Sequence, residues 1–333
     1  MAIKTTVVGS YPAPNWLLTN YNRQSLRDAI MVVLKTQELA GIDLLADGEL
    51  NRFDPNHPET NGMIDYFVTR MKGIRTQFTT DDIQRFRARS DMAYRGEPAG
   101  VVVGEIEEGS LNLAKDYEFS RRLTKAPLKF TCTGPHMLSK VVLDRNYASP
   151  RGVALGFARA LRRQIEQVQA DVVQLDEANI SGHPEDAEFA VAAVNLVLEG
   201  VKGERAVHIC FGNYGGQQVQ KGTWRNLLEF MNGLATHHFV LEFARRGYAE
   251  LEVLKELDPK FGIGVGVIDI KSTEVETADL VAKRLEEAAR VLGPERLRWA
   301  HPDCGFWMLH RVIADAKMRA LVEGRNLFEG KRP

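Results

Sequence analysis

Short runs of β-branched and apolar residues alternate with amphipathic helical stretches along most of this chain, and no other feature limits the fold as strongly. The runs cover residues 3–8, 42–46, 128–132, 172–175, 206–210, 238–241, 261–268 and 297–300. Helix-period stretches follow them, among them 24–40, 151–170, 184–198, 224–234, 245–254, 272–292 and 306–322. Strands separated by helical crossovers pair in parallel. Eight such units close a (β/α)8 TIM barrel, expected here as a single catalytic domain over residues 1–333. An open doubly wound sheet is the competing architecture. The glycine-rich run 262–266, however, lies within or beside a strand and does not open a helix as a dinucleotide fingerprint would. The alternation breaks once, over residues 51–125, where a single strand-like patch stands at 100–106. This segment reads as an insertion after the second strand that caps the barrel mouth.

Composition narrows the function classes. With 44% hydrophobic and 26% charged residues in 333, the chain can bury a large core without metal or disulfide staples, so a metal site would serve chemistry. Forty-three basic against 44 acidic residues leave a net charge of −1, which offers no footprint for nucleic acid or an anionic membrane. No apolar run approaches bilayer length. Residues 1–14 lack a charged segment followed by an apolar core, so no signal peptide and a cytoplasmic location are expected. The three cysteines, Cys132, Cys210 and Cys304, are odd in number and far apart. In a cytosolic setting that points toward metal binding or catalysis and away from disulfides.

Barrels of this kind place their chemistry at the C-terminal ends of the strands. The fifth run ends in Val207-His208-Ile209-Cys210, and residues two apart on a strand share a face. Glu242 ends the sixth run, and His301-Pro302-Asp303-Cys304-Gly305 ends the eighth. His208, Cys210, Glu242 and Cys304 could therefore converge as one nitrogen, two sulfurs and a carboxylate, a donor set for tetrahedral Zn²⁺ and a poor one for Mg²⁺. An inward-pointing Glu242 would otherwise be a costly unpaired acid. Two thiolates and a carboxylate leave a formally negative centre, weak as a Lewis acid but suited to carrying a substrate thiol as thiolate. Cys132, inside the third run, reads as core.

Further acids follow other strands: Asp47 and Glu49, Asp176 and Glu177, and Asp269. Carboxylates gathered in a cleft suit an ammonium group, although Glu177 and Asp269 could equally cap helices. Ser10, in Gly9-Ser10-Tyr11-Pro12, offers a hydroxyl and an N–H to an anion or simply makes a turn.

Taken in order, these residues resemble the catalytic barrel of the cobalamin-independent methionine synthase family, and more closely its short single-barrel members. The matching pieces begin with Thr5-Thr6-Val7-Val8-Gly9-Ser10-Tyr11-Pro12, Asp47-Gly48-Glu49, Arg52 and Met63-Ile64-Asp65-Tyr66-Phe67. They continue with Thr133-Gly134-Pro135, Gln174-Leu175-Asp176-Glu177, His208-Ile209-Cys210, Glu242 and Pro302-Asp303-Cys304-Gly305. The resemblance implies zinc on His208, Cys210, Glu242 and Cys304. It also implies Glu49 and Asp176 on the amino group of homocysteine, and Ser10 on its carboxylate. Lys271 stands where the family has a histidine thought to protonate the donor; a lysine there could serve as an acid if burial lowered its pKa, or equally as a salt-bridge partner. The expected activity is zinc-dependent methyl transfer to a small thiol, homocysteine, giving methionine. The methyl donor is a methyl-folate or a methyl-corrinoid carrier. A sibling family joining coenzyme M to epoxides supplies the alternative, which would need a basic sulfonate site; Lys271, Arg225 and Arg245 are the candidates.

Overall fold

A computed structural model of the chain describes residues 3–89, 92, 95–212 and 220–331. Ten strands are present among them: β1 (Lys4–Thr5), β2 (Lys72–Arg75), β3 (Val101–Glu107), β4 (Lys129–Thr133), β5 (Leu143–Asp144), β6 (Val172–Asp176), β7 (Glu204–Ile209), β8 (His238–Leu241), β9 (Gly262–Ile268) and β10 (Leu297–Pro302). Seven form one parallel sheet in the order β1-β10-β9-β8-β7-β6-β4. The remaining gap is bridged by the segment around residue 44, through parallel bridges from Thr6 to Leu44 and from Leu45 to Leu128. The sheet thus curls into the TIM-barrel-like arrangement that the alternation predicts.

The expected strand 42–46 is reduced to those two bridges, and a side chain explains why. The Gln37 amide takes both backbone groups of Ala46: Ala46 N donates to Gln37 Oε1 (3.0 Å) and Gln37 Nε2 donates to Ala46 O (2.6 Å). No ladder bond can form there. The first run is short as well, a strand only at Lys4–Thr5 with a single further bridge at Thr6.

β4 and β6 through β9 are buried on both faces apart from the first two residues of β7, as expected of strands covered by helices outside and side chains within. Helix Arg23–Ala40 shows how locally the boundaries are set. The Asn22 side chain accepts from Gln24 N and Ser25 N while Ser25 Oγ accepts from Asn22 N, and Gly41 ends the helix at φ +83°. Its buried face is Ala29, Ile30, Val33, Leu34 and Gln37. Later helices start after the expected positions where a cap intervenes. The stretch 272–292 becomes helical at Ala278, with Thr277 accepting from Leu280 N. Residues 245–254 yield only a 3-10 helix, Ala249–Glu256.

Inside the barrel, Val8, Leu44, Val172, Ala206, Val240 and Trp299 pack as one apolar layer. The glycines of β9 make room there. A Cβ at Gly264 would lie 2.9 Å from the His301 ring, and one at Gly266 would lie 2.0 Å from Asp303 Oδ1. The glycine-rich run is therefore a packing device for the strand beside it.

In the segment 51–125 the expected patch at 100–106 is β3, but it pairs with β2 and β5 in a separate three-stranded sheet. β2 has no sequence signal: Lys-Gly-Ile-Arg is mostly polar and only half-buried.

Candidate functional site

β7 carries His208 at its C-terminal end, and Cys210 follows one residue after the strand; Glu242 directly follows β8, and Cys304 lies two residues past β10. His208, Cys210 and Cys304 offer ligand atoms that all lie within 4.8 Å of one another. The imidazole is preset: Nδ1 donates to Val240 O (2.9 Å), while the buried Nε2 has no hydrogen-bond partner. A backbone carbonyl on one ring nitrogen fixes the tautomer and leaves the other free to ligate. A hydrogen bond between the two thiols holds Cys304 well below its usual value and pushes Cys210 up. Ser181 Oγ donates to Cys210 O (2.8 Å), which pins the turn after β7.

Glu242 is the fourth member of the expected set but stands outside this three-residue group. Its side chain is fully buried, neither oxygen accepts a hydrogen bond, and Lys271 Nζ lies 3.7 Å from Oε2. Burial, and then the charge of Asp303, pushes its carboxyl up to about 7. A buried carboxylate whose charge is felt at both cysteines is an arrangement that a divalent cation would relieve.

Asp303 is a site residue that the sequence reading quoted only as part of a motif. It accepts backbone N–H bonds from Phe243 (2.9 Å), Ala244 (2.8 Å) and Arg245 (2.7 Å). The turn carrying Glu242 is thereby tied to the turn carrying Cys304.

A second cluster adjoins the first. Asp176 is in register with His208 on one side and Thr133 on the other. Its Oδ1 accepts from Gln174 Nε2 (2.8 Å), and Gln174 Oε1 accepts from the buried Lys129 Nζ (2.7 Å). Burial pushes the Asp176 carboxyl up to about 7, with His208 opposing and Glu49 reinforcing the shift. Glu49 has a left-handed backbone (φ +58°) after Gly48 at +76°, held by Glu49 N donating to Asp47 Oδ1 (2.9 Å). Ser10 is buried against the Cys304 turn: Phe306 N donates to Ser10 O (2.8 Å), and a Cβ at Gly305 would meet Ser10 Oγ at 1.9 Å.

Met137 and Ala178 pack on Cys210, with Met63, Ile64 and Cys304 against them. This gives the sulfurs an apolar wall. An open cleft of about 700 Å³, lined by Ser10, Tyr11, Glu49, Phe53, Trp307 and Arg311 among others, reaches the site at Ser10 and Glu49. The bases named for a sulfonate are each paired with an acid: Lys271 with Glu242, Arg245 with Asp269 and Arg225 with Glu256. Glu177 and Asp269 act as backbone acceptors, Glu177 for His136 N and Met137 N and Asp269 for Lys271 N. Cys132 is fully buried core. No described helix is long and apolar enough to cross a membrane.

Residues 3–325 match the family model described as cobalamin-independent synthase, catalytic domain. The methionine synthase of Thermococcus kodakarensis is 30% identical, the alignment covering 97% of this chain and 92% of that protein. That of Pyrococcus furiosus is 29% identical over 96% and 91%. Among solved structures, the B12-independent methionine synthase of Shewanella sp. W3-18-1, in complex with selenomethionine, superposes with a TM-score of 0.83. It is 24% identical and covers 99% of this chain and 98% of its own. A putative vitamin-B12-independent methionine synthase from Listeria monocytogenes shares the fold at a TM-score of 0.72 and 19% identity, covering 98% of each chain.

Proposed function

Because the chain belongs to the cobalamin-independent synthase catalytic-domain family, we propose that it transfers a methyl group to the sulfur of homocysteine, giving methionine, at a Zn²⁺ centre held by His208, Cys210, Cys304 and Glu242. The observation that carries this reading is the buried His208–Cys210–Cys304 group with Nε2 of His208 unpartnered. Soft sulfur donors select Zn²⁺ over the hard divalent ions. When bound, the ion supplies the positive charge that favours the thiolate form of an incoming thiol.

The chain's own residues do the rest. Glu49 and Asp176 are two buried acids whose mutual repulsion is relieved by a cation, here the ammonium of the substrate. Ser10, beside the Cys304 turn, takes the substrate carboxylate. These contacts orient the sulfur for in-line attack, the carbon–sulfur bond forming as the bond from methyl to its carrier breaks. Met63, Ile64, Met137 and Ala178 keep water from the sulfur. Residues 51–125 act as a cap on the barrel mouth, through Met63 and Ile64. Lys271 balances the charge of Glu242 and is the acid offered to the departing carrier. The donor is a methyl-folate or a methyl-corrinoid carrier, entering by the cleft at Ser10 and Trp307.

The direct test is X-ray absorption on the zinc-loaded protein with and without homocysteine, alongside methionine formation from each donor. Sulfur coordination is expected to rise when homocysteine is added; an unchanged spectrum rejects homocysteine as the acceptor. Lys271→Met is expected to lower kcat by about 100-fold, the low end for loss of a proton-transfer group, with zinc retained. A wild-type rate in Lys271→Met would remove Lys271 from the reaction.

A further inference from the structure

Arg52 is singled out by sequence, buried by structure and not used by the chemistry above. It is 6% exposed in the segment after Glu49, and its guanidinium packs over the Phe67 ring at 5.2 Å. Buried arginines are rare without a partner that repays their desolvation. Here Nη1 lies 3.3 Å from Glu49 Oε2, while Nη2 donates to the backbone oxygen of Thr131 and to Thr131 Oγ1 (3.0 Å). The same hydroxyl donates onward to Glu49 Oε1 (2.7 Å). Arg52, Thr131 and Glu49 therefore form a closed ring that engages both carboxylate oxygens of Glu49 at once.

Two further observations show that the ring fixes one position. A Cβ at Gly9 would lie 2.1 Å from Glu49 Oε1, so the carboxylate rests against bare backbone. Glu49 also holds a left-handed backbone at φ +58°, a conformation that costs a residue with a Cβ and persists only where its surroundings over-determine it. Glu49 is thus held from both its main chain and its side chain, with carboxylate lone pairs left over to accept from a third donor. Arginine suits the task because its charge does not titrate and its planar fork spans two acceptors; lysine offers a point charge only.

We propose that Arg52, through Thr131, is the positioning residue that holds the Glu49 carboxylate aimed, and that this clamp sets the preference for thiols bearing an amino group. The inference rests on the reading of Glu49 as an ammonium acceptor. It places the effect of Arg52 on recognition of the substrate amino group and none on the sulfur centre.

The test compares homocysteine with its deamino analogue, 4-mercaptobutanoate, on zinc-loaded full-length protein, by calorimetric dissociation constants and by KM and kcat. In Arg52→Met the KM for homocysteine is expected to rise at least ~30-fold, because the change removes both the buried ion pair to Glu49 and the hydrogen bonds that aim Thr131. Binding of 4-mercaptobutanoate, zinc content and kcat at saturation should change by less than ~3-fold. Arg52→Lys keeps charge but loses the fork and should fall between. Thr131→Val should weaken homocysteine in the same direction and less, and both variants apply the same criterion if Arg52→Met does not fold. A variant that weakens both thiols equally, or that keeps the wild-type preference for homocysteine, overturns the clamp alone. A wild-type protein that does not prefer homocysteine to its deamino analogue overturns the reading of Glu49 and the clamp with it.

Discussion

Replacing Cys304 with serine is expected to empty the metal centre and abolish methyl transfer while leaving the barrel folded. Cys304 is one of only three described residues whose ligand atoms gather within 4.8 Å, so its loss leaves two. A hydroxyl does not ionise as a thiol does and binds Zn²⁺ poorly. Zinc by mass spectrometry should fall from about one ion per chain to near none, since only one sulfur donor would remain beside His208 and the outlying Glu242. Activity should drop by more than ~100-fold, the upper end of what even outer-shell changes do to metal sites. The change removes no apolar volume from the interior layer of the barrel, so the melting temperature of the metal-free proteins should agree within a few degrees. A Cys304→Ser protein that keeps its zinc would remove the premise of the proposed function. Dialysis of the unaltered protein against a strong chelator should reproduce the loss, with recovery on adding Zn²⁺.

The largest stability effect is expected at a residue with no side chain. In Gly266→Ala the new methyl would lie 2.0 Å from Asp303 Oδ1 and 3.1 Å from both Leu241 O and Phe243 N, positions that buried strand backbone cannot vacate. Moving the Asp303 carboxylate strands the backbone N–H groups of Phe243, Ala244 and Arg245. Each unsatisfied donor costs about 1–3 kcal/mol, so a loss of roughly 3–9 kcal/mol is expected in urea unfolding. Zinc retention should weaken as well, because Asp303 is the neighbour of Cys304 in the chain. Gly262→Ala is the control. Its methyl would meet chiefly the flexible Arg298 side chain, and the cost there should stay near ~1 kcal/mol. Equal costs at the two glycines would show that Asp303 does not organise the turn after β8.

Fold and site were unequally legible in the sequence. The barrel could be read from alternation alone, because parallel strands buried on both faces are continuous apolar runs and the helices between them keep a 3.6-residue stripe. β2 escaped because it pairs at the surface in a small sheet, where burial writes no pattern into its residues. The strand at 42–46 was overestimated because nothing local says that Gln37 takes the backbone of Ala46. At the site, His208, Cys210 and Cys304 could be placed at strand ends because soft donors are rare and position on a barrel strand dictates which end a side chain reaches. Arg52 and Asp303 stood in matching motifs without a role, and Thr131 carried no signal, since arginine, threonine and aspartate are common on any surface.

Periodicity and scarce residue types suffice for the architecture, for the strand ends on which the sulfurs, imidazole and acids sit, and for the family. Only the tertiary structure decided that Glu242 stands apart from the three-ligand group beside Lys271, that Asp303 ties two turns together, and that Arg52 and Thr131 close on Glu49. Apart from Arg52 and Glu49, three positions apart, those are contacts between residues 29 to 82 positions apart in the chain. Their geometry is set by strand register and by the missing side chains of Gly9, Gly266 and Gly305, and spacing along a sequence does not encode it.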